Sequence, residues 1–137
     1  MAPRLPYVDG IVASLLRDAL PGVTVETQYN NGIFRTPYVW VETVGGTPLD
    51  PDLAVRAILD VHCYTGPDKR DGAMLAEDVR RALWGGRHIE TPDGYLVHIA
   101  TEIGPRQIPE PAAPADVVRY DATYRVIARK RGDNGSN

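Results

Sequence analysis

Residues 118–129 read Val-Arg-Tyr-Asp-Ala-Thr-Tyr-Arg-Val-Ile-Ala-Arg, so Val118, Tyr120, Ala122, Tyr124, Val126 and Ala128 occupy every second position. Side chains of an extended chain alternate between two faces, so this segment is predicted to be a strand about 40 Å long with one apolar side. An apolar strand face of that length must be covered, and two helical patterns elsewhere have apolar sides to offer. From Pro6 to Leu20 the residues Val8, Ile11, Val12, Leu15, Leu16, Ala19 and Leu20 recur at helical spacing, Pro6 suits a first turn, and Pro21-Gly22 supplies a stop. From Asp68 to Trp84 the residues Leu75, Ala76, Val79, Ala82 and Leu83 share one side, opposite Glu77, Asp78, Arg80 and Arg81, and Gly85-Gly86 ends the run.

The remaining segments are rich in strand formers. Val23–Thr27 and Tyr38–Val44 read as strands, as do Arg87–Glu90 and Tyr95–Ile103, the last two joined by a turn at Pro92-Asp93-Gly94. Residues 53–64 fit both periods: Leu53, Ala54, Ala57, Ile58 and Val61 suit a helix, while Val55, Ala57, Leu59, Val61 and Cys63 alternate. The poor helix formers of Asp60-Val61-His62-Cys63-Tyr64 assign at least Ile58–Tyr64 to a strand. The element order predicts an α+β fold, a mostly antiparallel sheet of about five strands with two main helices packed against it. One domain over residues 1–131 is expected, with a disordered tail at 132–137, where the residues are small and polar.

Three connections draw attention. Residues 28–37 have turn chemistry at Asn31-Gly32 yet expose Tyr29, Ile33 and Phe34, and a second loop carries Leu49. From Gly104 to Pro114 the chain holds Pro105, Pro109, Pro111 and Pro114, too many for regular pairing, so an extended arm presenting Arg106 and Ile108 is expected. Apolar side chains on loop tips suit contacts with partners, so Tyr29, Ile33, Phe34, Leu49, Arg106 and Ile108 are the candidate interface residues.

Composition excludes several classes. A formal net charge of -3 argues against wrapping nucleic acid, and the Arg125, Arg129, Lys130, Arg131 cluster reads as a solvated strand end. No apolar stretch approaches the roughly 18 residues that cross a bilayer, so no membrane partner is expected. The start, Met1–Pro6, lacks an apolar run, and no secretory signal is expected.

No catalytic, cofactor or metal site emerges from the motifs. Cys63 is a single cysteine beside His62, and neighbouring strand residues face opposite sides, so the pair cannot act as nucleophile and base. Cys63 is expected to be a buried structural thiol, and His62, His88 and His98 surface or edge imidazoles. Neither Cys-x-x-Cys nor His-x-x-x-His spacing is present to seed a zinc site. Asp68 and Asp71 stand at a helix start, where capping accounts for them, and the Asp50–Asp52 stretch reads the same way. Gly85-Gly86 follows a helix and Gly45-Gly46 has no Walker lysine, so no phosphate loop is formed.

Several local patterns carry a resemblance. They are the opening Leu5-Pro6-Tyr7-Val8, the strand Thr36-Pro37-Tyr38-Val39-Trp40-Val41, and Leu59-Asp60-Val61-His62-Cys63-Tyr64 leading to a helix with Ala76, Val79 and Ala82-Leu83. Gly104-Pro105-Arg106-Gln107-Ile108-Pro109 and Val118-Arg119-Tyr120-Asp121-Ala122-Thr123-Tyr124-Arg125-Val126 complete the set. In these the chain resembles the tail terminator proteins of long-tailed bacteriophages, particularly those infecting actinobacteria. The resemblance implies a non-enzymatic virion protein, assembled in the host cytoplasm, that forms a hexameric ring on the last ring of the tail tube. It implies as partners other copies of itself, the tail tube protein and a head-completion or connector protein, with DNA only passing through the lumen. A head-closure or connector protein is the alternative from the same setting, and a small ligand-binding domain the alternative from another class.

Overall fold

The computed structural model describes residues 4–29, 35–49, 53–109 and 116–130. Helix α1 spans Val8–Ala19 and buries Val8, Ile11, Val12, Leu15 and Leu16. Tyr7 takes its N-cap position without a side-chain hydrogen bond, so the apolar side and not the cap holds this helix in place. Helix α2 spans Lys69–Gly85 and starts on Asp68, whose side chain accepts a 2.8 Å bond from the Arg70 amide. That is the capping role expected of Asp68.

Five strands follow the sequence order β1 Thr24–Glu26, β2 Tyr38–Leu49, β3 Ala54–Thr65, β4 Tyr95–Gln107 and β5 Val118–Arg129. They form one sheet in the order β1-β2-β3-β5-β4, antiparallel throughout except for β1, which runs parallel to β2. The α+β class and the mostly antiparallel five-stranded sheet are as expected. β3 and β5 are the long inner strands, paired with each other from Ala54↔Arg129 to Thr65↔Val118.

Strand alternation sorts the residues onto two faces. Val39 and Val41 of β2, Leu59, Val61 and Cys63 of β3, and Tyr124 and Val126 of β5 belong to one buried cluster with α1 and α2 side chains such as Ile11, Leu16, Val79 and Leu83. Truncating a fully buried member such as Leu59 or Leu83 removes about 2–5 kcal/mol. The opposite face has its own smaller cluster, Tyr38 and Tyr64 with Trp40 and Val117 around them.

Several expectations are corrected. The strand assigned to at least Ile58–Tyr64 is present, and the residues left open before it are strand too, from Ala54, because β3 is flanked on both sides and its alternation meets the core on one face. β2 continues past Val44 through Gly45-Gly46-Thr47-Pro48 to Leu49, so Leu49 ends a strand and pairs with Ala54 instead of occupying a loop. A register shift between Thr43 and Gly45 accommodates the extra residue. Residues 87–90 are a turn and coil, not a strand: His88 has a φ of 65°, and its amide donates to Leu96 O at 2.7 Å. The first part of the expected arm, Gly104–Gln107, is the end of β4, paired with β5 at Arg106↔Asp121 and Gln107↔Tyr120. Pro105 is tolerated there because the register slips between Ile103 and Arg106 on an outermost strand, where a missing N–H need not break the ladder. Of the rest of the arm, Ile108 and Pro109 are coil, and residues 110–114, like the tail at 132–137, lie outside the described residues.

Candidate functional site: the open face of the sheet

The face opposite the helices gathers polar side chains from three adjacent strands. Cross-strand register sets Trp40 beside His62, Glu42 beside Asp60, and His62 beside Asp121. His62 Nε2 lies 2.7 Å from Glu42 Oε2, and His62 Nδ1 lies 3.0 Å from Asp121 Oδ2. Arg119 grips the same carboxylate with two bonds, Nε to Oδ1 at 2.9 Å and Nη2 to Oδ2 at 2.8 Å. Thr123 Oγ1 donates to Asp60 Oδ1 at 2.7 Å. Trp40 stacks on the imidazole with centroids 4.5 Å apart, and Tyr29 packs on Trp40 at 5.3 Å.

His62 is therefore buried, with 5% of its surface exposed, and is neither a surface nor an edge imidazole. His88 and His98 are exposed as expected. Burial opposes a charge on His62, but the carboxylates of Asp121 and Glu42 overcome both burial and the repulsion of Arg119, and raise its pKa above 6.5. Burial likewise works against the Asp121 charge, yet hydrogen bonds from His62 and Arg119 hold its pKa at about 2. An imidazolium donating from both nitrogens satisfies both carboxylates. In that state the 3.3 Å approach of Arg119 Nη2 to His62 Nδ1 is a contact between two donors, not a hydrogen bond.

Glu42, Asp60 and His62 bring donor atoms within 4.8 Å of one another, a grouping that residue spacing alone conceals because it is made by register. His62 Nε2 already faces Glu42 at hydrogen-bond distance, so a cation would have to displace that bond. As it stands the set is paired charge, and its chemical work is to tie β2, β3 and β5 together. Cys63 points to the opposite face into the core, 2% exposed, and burial pushes its thiol well above the ordinary range. The expectation of an inert buried thiol agrees with that position, and His62 and Cys63 do not meet.

The expected interface residues are scattered. Tyr29 is 40% exposed and covers Trp40 at one end of the polar face. Arg106 is exposed on β4 and reaches back to Asp121 O at 3.4 Å, while the half-buried Ile108 donates its amide to Arg119 O at 2.9 Å. These three approach β2 or β5 around the polar network, whereas Leu49 sits at the far end of β2. Ile33 and Phe34 lie outside the described residues. The residues missed by motif reading, Glu42, Asp60, Arg119 and Asp121, share one sequence signal: charged residues at the outward positions of strands whose inward positions are apolar.

The family model described as phage tail termination protein matches residues 4–134, nearly the whole chain. The chain belongs to the phage tail termination protein family. Membership makes this tail termination protein a structural component of a phage tail. The chain is similar to two solved structures. One is a chain of the virion of a native gene transfer agent particle, at 16% identity, TM-score 0.47, over 87% of this chain and 84% of that one. The other is the gp17 protein of bacteriophage SPP1, at 14% identity, TM-score 0.48, over 90% and 88%. No curated protein matches the sequence. Among the described residues no helix of the tail termination protein is long and apolar enough to cross a membrane.

Proposed function

We propose that this tail termination protein closes the head-proximal end of the tail tube as a ring of six copies. The ring stops tube growth and offers its far surface to a head-completion or connector protein, and DNA passes through its lumen without specific contacts. It is assembled in the host cytoplasm, acts as one domain and catalyses no reaction. The observation that carries this reading is the family match across residues 4–134. Two stretches of sheet supply surface for it. β2 from Thr43 to Pro48 and β4 from Ala100 to Gln107 are exposed at every residue, including Val44 and Ile103, which are 51% and 47% exposed. A ring subunit needs contact surfaces for two neighbours as well as for the tube, and such unburied strand ends are suited to that use.

Mixing the purified chain with its tail tube protein and imaging by negative stain tests the proposal. The expected result is tubes of limited length, each with a six-fold ring at one end. A chain that stays monomeric beside freely polymerising tubes overturns it.

A further inference from the structure

Resting on the ring reading above, we propose that neighbouring copies meet through the two margins of α2, the basic notch on one copy receiving the acidic groove of the next. Helix α2 turns Gly72, Leu75, Ala76, Val79 and Leu83 inward. At about 3.6 residues per turn its exposed arc then has Asp71 and Asp78 along one margin and Arg80 and Trp84 along the other. The acidic margin borders a groove of about 340 Å³ walled by Val23, Pro37 and Thr65, at the ends of β1, β2 and β3. The basic margin borders a hollow of about 140 Å³ walled by Ile99 and Thr101 of β4 and Tyr124 of β5. Arg81 and Gly85 extend this hollow along the helix.

The two margins match in chemistry. Each has one large apolar side chain standing in solvent, Met74 at 48% exposure beside Asp71 and Asp78, and Trp84 at 54% beside Arg81 and the Arg80–Glu77 ion pair, which closes at 2.6 Å. Asp71 and Asp78 have no ion-pair partner among the described residues. Across the helix the notch presents the Arg81 guanidinium, the Arg80 guanidinium that Glu77 already engages through Nε and Nη2, and Tyr124, whose hydroxyl is buried without a hydrogen-bond partner among the described residues. Tyr124 walls the hollow together with Arg80 and Trp84, beneath this margin of the helix. A site of donors with an unsatisfied hydroxyl calls for an occupant rich in acceptors, and the carboxylates of the opposite margin are such a group.

The margins also lie at opposite ends of the sheet, by β1 and by β4, its outermost strands. A contact joining them is head to tail, and copies repeated through it close into a ring when the rotation allows. Complementary charge sets the direction of docking and excludes head-to-head pairs, in which Asp would meet Asp.

Two variants test this: Arg81→Glu, which leaves the Arg80–Glu77 pair in place, and Asp71→Lys with Asp78→Lys. All three positions are exposed, and circular dichroism and melting establish that each variant folds. Native mass spectrometry and sedimentation then read assembly, with and without tail tube protein. Each variant alone is expected to lose the ring, and an equimolar mixture to regain it as an alternating ring, since every contact again pairs opposite charges. The single variants Arg81→Gln and Asp78→Asn are expected to weaken association about tenfold each. Wild-type rings together with variants that assemble normally, or fail to rescue one another, overturn this contact and leave the ring reading standing. A wild-type chain that is monomeric even on tubes overturns the ring reading and this contact with it.

Discussion

His62 has a carboxylate within 3.0 Å of each ring nitrogen, and that makes stability depend on pH in a defined direction. Its folded pKa is raised, so the folded state binds the proton more tightly than the unfolded one. The resulting stability is fully present below the ordinary value of 6.5 and is lost as pH climbs through the raised value. Asp121 acts with the opposite sign: its contribution is present above the ordinary 3.8 and is lost as pH falls toward about 2. The network therefore favours folding most between those two ordinary values. We expect the urea midpoint of the wild type to drop as pH rises above 6.5. His62→Gln should cost about 1–3 kcal/mol near neutral pH and flatten that slope. An equally steep slope in His62→Gln would assign the titration to another group.

At the scale of elements, the seat of α2 on β5 depends on a residue without a side chain. A Cβ on Gly72 would stand 2.7 Å from Tyr120 Cδ1 and 3.0 Å from Val118 Cγ1, so the helix lies close over this pair. Alanine is favoured over glycine inside a helix by up to about 1 kcal/mol, but here the overlap with a buried ring outweighs it. Gly72→Ala is expected to lower thermal stability by about 1–2 kcal/mol. Gly85→Ala, at the end of the same helix with nothing within 4 Å of its Cβ, should be neutral or stabilising. Equal effects of the two substitutions in calorimetry would contradict this close approach.

Across the whole molecule, protection should follow strand order and not strand length. β3 and β5 pair on both sides, while β4 pairs on one side only and β2 beyond Trp40 has no described neighbour but β3. Native-state hydrogen exchange of the monomer should be slowest at Leu59–Cys63 and Ala122–Val126. It should be faster by orders of magnitude across Ala100–Gln107 and Thr43–Thr47, the stretches exposed on both faces. Uniform protection over all five strands would refute this hierarchy.

Period and punctuation in the sequence were enough to determine both helices, the alternating strand Val118–Arg129 and the α+β class, because these depend on contacts within a few residues or on which side of an element is apolar. The same reasoning left 53–58 undecided, since a short apolar run fits both periods and only its flanking by β2 and β5 chooses strand. It also read Gly104–Gln107 as unpaired, because proline content shows a missing donor but not that the strand is outermost and its register slips at Pro105. The polar network was invisible for a related reason. Glu42, His62 and Asp121 are 20 and 59 residues apart, and their meeting depends on the register of three strands. Register is fixed by burial of the other face, where Val41, Val61 and Ala122 pack, so a tertiary constraint on apolar side chains decided which charged groups became partners.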